Sequence, residues 1–217
     1  MSSEHAEHHD AGPHPVGTET DEYFGAASDG KIGMWIFLLT DAFSFSGLLL
    51  TYAIMRAGAD HWPMFDEEHG EQVARLGIPF TAVMTFVLLC SSVTMVLALN
   101  AAQNRSKKGL LTFLGLTIVG GAFFLAGQAF EYHHLIERGL TLQKDHMMAT
   151  FFMVTGFHGM HVLTGVIYMS VIWIQSLFGK YSKGDYNNVE IVGLFWHFVD
   201  LVWILVFTFI YLLPPGE

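Results

Sequence analysis

The chain alternates five long apolar stretches with short polar connectors: Ile32 to Met55, Ile78 to Leu99, Leu110 to Phe130, Met147 to Leu177 and Val189 to Leu213. Roughly 20 apolar residues wound as a helix cover about 30 Å, the thickness of bilayer hydrocarbon. Each stretch is therefore read as a transmembrane helix, and the fold class as all-α, an integral membrane bundle of five spans. The fourth stretch is long for a perpendicular crossing, so tilt or extension past the surface is expected. Connectors with turn formers, such as the one holding Trp62-Pro63 and the one from Gly179 to Asn188, are short enough for neighbouring helices to run antiparallel.

Composition strengthens this reading. Of 217 residues 52% are hydrophobic and 14% charged, too little charge for the surface of a water-soluble domain. The net charge of -10 sits mainly outside the spans, in the first thirty residues and between Asp60 and Glu71. Residues 1–30 are read as a hydrophilic, mostly disordered tail, and 31–217 as one membrane domain. The tail has neither the basic start nor the apolar centre of a signal peptide. Nucleic acid is excluded as a partner, since phosphates call for clustered Lys and Arg. The single Cys90, inside an apolar run, is a packing residue that cannot form an internal disulfide.

Orientation follows from the basic residues, which accumulate on the cytoplasmic side. Lys31, Arg105, Lys107, Lys108, Lys180 and Lys183 fall on the N-terminal side, against Arg56, Arg75, Arg138 and Lys144 opposite. Six against four puts the N-terminus in the cytoplasm and the C-terminus outside. Trp35, Tyr52, Trp173 and Tyr211 near span ends suit interfacial anchoring.

Ionisable groups within the spans carry the functional information, because each costs at least about 2.5 to 3.5 kcal/mol to insert unless sheltered. Asp41 lies in the first span with Ser44 one turn on. Gln128 and Glu131 lie near the outer end of the third, on a stripe with Gly121 and Phe124. His158 and His161 occupy the fourth, followed at helical spacing by Gly165 and Tyr168. Gly193, His197, Asp200, Thr208 and Tyr211 line one face of the fifth. Four polar stripes satisfy one another only by converging, so Asp41 is expected to pair with His161 or His197, and Asp200 to hold the remaining histidine. Gly156, Gly159 and Gly165 allow close helix approach.

Three readings compete for these groups: a structural hydrogen-bond network, a metal site, and a proton or ion pathway. Glu131 and His134 have the Glu-x-x-His spacing of di-iron bundles, with His158, His161, His197 and Asp200 as further ligand candidates. However, no second such motif is present, and Glu131 lies at a different depth from the histidines. Five helices without an inverted repeat are few for a transporter. His5, His8, His9 and His14 of the tail are read as solvated.

Four segments taken together resemble a known family. Lys31-Ile32-Gly33-Met34-Trp35 through Asp41-Ala42-Phe43-Ser44-Phe45-Ser46-Gly47, Gly127-Gln128-Ala129-Phe130-Glu131-Tyr132, Gly156-Phe157-His158-Gly159-Met160-His161-Val162 and Phe195-Trp196-His197-Phe198-Val199-Asp200-Leu201-Val202-Trp203 resemble the five-helix form of haem-copper oxidase subunit III. The resemblance implies a bacterial inner-membrane subunit with no catalytic residue, metal or redox cofactor of its own. By the same resemblance it docks on subunit I, which holds the haems and copper, with subunit II and a small subunit IV nearby. It further implies bound structural phospholipid and support of proton uptake, with cytochrome c or quinol as donor left open. Asp41, His158, His161, His197 and Asp200 are then expected to form a polar core supporting proton uptake, while Arg56, Gln128, Glu131, Trp196 and Trp203 are assigned to the lipid headgroup and interface region.

Overall fold

A computed structural model describes residues 28–58, 70–137, 139–143, 146–183 and 186–212. Nearly all of the N-terminal tail, with its histidines, and of the acidic connector after the first span lies outside the described residues. Within them the protein is all-α: α1 (Asp29–Ala57), α2 (Gly70–Gln103), α3 (Lys107–Glu137), α4 (His146–Leu177) and α5 (Asn187–Phe207), with a short 3-10 turn at Lys180–Lys183 and a π-helical turn at Thr208–Leu212. All five helices are long and apolar enough to cross a membrane, which makes this a multi-pass membrane protein. Several helices run beyond the apolar stretches, because their polar ends, such as Lys107-Lys108 and Glu131 to Glu137, keep the helical bonding pattern that hydropathy does not register.

Helices α2, α3, α4 and α5 form a closed ring of neighbours, and α1 lies outside it in the groove between α4 and α5. Partners in contact at α2 and α5 climb in opposite directions, as Trp203 meets Thr85 and Trp196 meets Ser91. α1 and α4 are antiparallel by the same test, with Asp41 against His161 and Phe45 against Phe157. The α2–α3 corner is tight: Arg105 adopts φ 54°, and Ser106 N–H donates to Ala101 O at 2.8 Å while Arg105 N–H donates to Ala102 O at 3.1 Å. These two bonds satisfy carbonyls that the helix end would otherwise leave bare. After α3 the same closure recurs with Gly139 at φ 75°, where a glycine carries no side-chain penalty.

The interior is rich in aromatic side chains. Trp196, Trp203, Phe124, Met84 and Leu88 are fully buried, whereas Phe43, Phe86 and Val119 project outward where acyl chains would lie. Trp196 fits because two glycines make room for its ring: a Cβ at Gly121 would lie 2.6 Å from its Cη2, and one at Gly165 would lie 2.8 Å from its Cε3. Burial is uneven. In the most apolar window of each span, 56% of α5 is buried against 17% of α1, so α5 is the hub and α1 the outer helix.

Candidate functional site: a polar core between the helices

Asp41 sits on the inner face of α1, one turn from Phe45, and its Oδ1 lies 3.2 Å from Nε2 of His161 on α4. The other ring nitrogen of His161 lies 2.8 Å from the Phe157 carbonyl oxygen one turn earlier. A carbonyl only accepts, so Nδ1 must carry a hydrogen. Nε2 and Oδ1 therefore attract each other only if one proton stands between them, as imidazolium and carboxylate or as neutral imidazole and carboxylic acid. Either way the pair holds one proton and no net charge, the form that hydrocarbon tolerates.

His158, one turn before His161, is completely buried. Its ring stacks on Trp203 with centroids 4.8 Å apart, and the rings of Phe124 and Phe45 approach at 5.6 and 6.4 Å. Asp200, one turn before Trp203, is buried as well. Neither of its carboxylate oxygens meets a hydrogen-bond partner among the described residues. Half-buried His197 is bonded through Nδ1 to the Ser92 hydroxyl at 2.5 Å.

Of the two expected pairings for Asp41, the structure has the one with His161. The second expectation needs correcting: Asp200 does not hold His197, whose bond goes to α2. Ser44 and Thr208 are also outside the core, since both are exposed and donate to carbonyls of their own helices, Thr40 O and Ile204 O.

The second helix supplies polar groups that hydropathy conceals. Indole N–H of Trp196 donates to Ser91 Oγ at 3.1 Å, and that of Trp203 donates to Thr85 Oγ1 at 2.9 Å. Thr94 and Thr117 join α2 to α3 at 2.7 Å. Trp196 and Trp203, assigned from sequence to the lipid interface, are thus placed in the interior. Their rings seal the bundle while their N–H groups bind hydroxyls of the neighbouring helix.

A second polar cluster lies toward the other end. Gln128 is buried and donates to the Thr155 carbonyl at 2.7 Å and to Tyr132 Oη at 3.1 Å, while Tyr132 and Thr155 share a 2.7 Å bond. Tyr211 Oη donates to the Glu131 carboxylate at 3.2 Å, and Thr81 Oγ1 approaches it at 3.4 Å. Arg56 donates to the Phe209 carbonyl at 3.2 Å, within the π-helical turn. Gln128 and Glu131 are therefore tied to neighbouring helices. His134 is exposed and its ring lies parallel to that of Phe130, while the Glu131 carboxylate is engaged by Tyr211. Among the described residues no group of three or more His, Cys, Asp or Glu is placed to hold a metal ion.

Fold and site together define a multi-pass bundle in which the ionisable side chains Asp41, His158 and Asp200 of the spans turn inward between helices, while large apolar side chains such as Phe43, Phe86 and Val119 face outward. The sequence model of cytochrome c oxidase subunit III matches residues 18–214. The chain is 32% identical to cytochrome bo(3) ubiquinol oxidase subunit 3 of Pseudomonas aeruginosa, over 98% of this chain and 99% of that protein. It is 36% identical to cytochrome c oxidase subunit 3 of Corynebacterium diphtheriae, over 83% of this chain and 86% of the relative. Likewise it is 37% identical to cytochrome c oxidase subunit 3 of Synechocystis, over 83% and 74%. The chain belongs to the cytochrome c oxidase subunit III family, and is a component of a haem-copper oxidase complex.

Proposed function

We propose that this chain is the redox-inactive third subunit of its terminal oxidase, docked directly on subunit I, which carries the haems and copper, with subunit II and a small subunit IV in the same assembly. In this reading it holds structural phospholipid, stabilises subunit I during turnover and supports proton uptake through the core of Asp41, His158, His161, His197 and Asp200. Its N-terminus is cytoplasmic and its C-terminus outside, in a bacterial inner membrane, as the basic residues favour. Arg56 and Glu131 lie toward the headgroup end.

The observation that carries the reading is the similarity over 98% of this chain to a ubiquinol oxidase subunit 3 and over 83% of it to a cytochrome c oxidase subunit 3. It is supported by the engagement of Asp41 with His161 and of His197 with Ser92, which spends these groups on helix packing.

The test is purification of the tagged full chain in mild detergent. Expected is copurification of a haem- and copper-bearing subunit, with no stoichiometric metal on this chain once it is separated. A chain that purifies alone with bound iron or oxidase activity would replace this reading. Labelling of single cysteines introduced at exposed positions near Lys108 and Gly139 tests orientation, the first being expected to react from the cytoplasmic side.

A further inference from the structure

Five side-chain atoms in the middle of the bundle can hydrogen-bond but meet no protein partner among the described residues: Asp41 Oδ2, both ring nitrogens of His158 and both carboxylate oxygens of Asp200. All three residues are more than nine-tenths buried. They come from α1, α4 and α5 and lie at nearly one depth. His158 is one turn from His161, which meets Asp41, and it stacks on Trp203, which is one turn from Asp200. A helical turn rises about 5.4 Å, so the three groups fall within about one turn along the bundle axis.

Their chemistry is complementary but incomplete. Imidazole in either tautomer has one N–H and one lone pair, or two N–H groups when protonated, so His158 always has a donor in need of an acceptor. Asp200 and the second oxygen of Asp41 supply acceptors. Aromatic rings from Trp203, Phe124 and Phe45 crowd His158, and these bond only weakly to an in-plane N–H. Leaving such groups unmet would cost about 1 to 3 kcal/mol each, and more for a charged one. A cation is a poor candidate for the gap, because no three of these ligands are gathered closely enough to hold one. Water, with two donors and two acceptors, spans wider gaps and is the usual partner of buried polar atoms left over by packing.

We propose that ordered water occupies the space between Asp41, His158 and Asp200 and joins them into one hydrogen-bonded cluster at the middle of the membrane. Water next to Asp41 also gives the proton held by Asp41 and His161 a path of exchange toward His158 and Asp200. The path runs across the bundle rather than along it. The inference deepens the polar-core part of the reading above but does not need oxidase membership, since it concerns this chain's interior.

The test is a map at a resolution that displays ordered water, from the complex purified through this chain, or from the full chain in lipid nanodiscs if no partner copurifies. Expected are density peaks at hydrogen-bonding distance, about 2.6 to 3.2 Å, from a His158 ring nitrogen and from an Asp200 oxygen. Infrared difference spectra in ordinary and oxygen-18 water should contain isotope-shifted water bands, and Asp200→Leu should remove them. His158→Phe, whose flat ring keeps most of the packing, should remove the peak beside position 158 while Asp41 and His161 stay paired. The proposal is overturned by a map in which His158 and Asp200 bond directly to each other or to other side chains with no peak between them. It is equally overturned by water bands that are absent in the unaltered protein.

Discussion

Nε2 of His161 faces Oδ1 of Asp41 at 3.2 Å while its Nδ1 is tied to the Phe157 carbonyl at 2.8 Å. That carbonyl fixes the tautomer, and the tautomer obliges the two side chains to share one proton. A polar contact between α1 and α4 is thereby made dependent on a proton, in a helix pair otherwise joined by Phe45 and Phe157.

Asp41→Asn retains a donor toward His161 and should be mild, whereas Asp41→Ala strands the imidazole. A double-mutant cycle of Asp41→Ala with His161→Phe should give a coupling of about 0.6 to 1.7 kcal/mol, the range of interhelical hydrogen bonds in membranes. Thermal unfolding in one detergent measures it, and additive losses would deny the bond. In the assembled oxidase, Asp41→Ala should also alter proton uptake or lipid occupancy, and unchanged values of both would remove the proposed role.

Thr85 accepts from buried Trp203 at 2.9 Å. Thr85→Ser keeps the oxygen and should cost under about 1 kcal/mol; Thr85→Val leaves the indole N–H without its acceptor and should cost about 1 to 3 kcal/mol. The Trp N–H bonding signature in ultraviolet Raman spectra should weaken for Val and persist for Ser. Equal stability of the two variants would mean that the contact contributes nothing.

Gly121→Ala drives a methyl to 2.6 Å from Trp196 and 2.7 Å from Val166. Trp196 is fully buried and cannot yield, and overpacking of this kind costs about 1 to 3 kcal/mol. Gly47→Ala, with nothing within 4 Å, should leave the isolated chain unchanged. Midpoints of thermal inactivation for the two variants check the contrast.

His197→Phe removes the bond to Ser92, and Asp200→Leu removes a buried carboxylate. Both should loosen assembly or hasten inactivation over successive turnovers, while the first turnovers proceed at the ordinary rate. Oxygen consumption followed to exhaustion separates initial rate from decay. Fully assembled variants inactive from the outset would give these residues a direct part in the chemistry.

The spans were legible because bilayer thickness imposes a length that sequence reveals without any knowledge of contacts. The polar faces of α1, α4 and α5 were legible for a related reason: aspartate and histidine are costly in hydrocarbon and stand out. α2 was not, since threonine and serine are near neutral on hydropathy scales and are easily carried in a span by bonding to carbonyls one turn back, as Thr81 and Thr85 do to Gly77 O and Thr81 O. Trp196 and Trp203 were misplaced for the opposite reason. Tryptophan favours the membrane interface on average, and only Gly121, Gly165 and the α2 hydroxyls make interior sites for these two rings. Partner choice between His161 and His197 depended on rotation of α1 about its axis, which no single-helix pattern encodes.

The most enclosed helix of the described bundle is also the last of its five spans. During synthesis the earlier four enter the bilayer before their central pillar exists, so the hydroxyls of α2 that receive Trp196 and Trp203 wait without those donors. Consolidation of the subunit is thus deferred until the fifth span arrives. A ribosome stalled short of α5 should leave a product that insertion-quality proteases recognise, even with four spans correctly threaded.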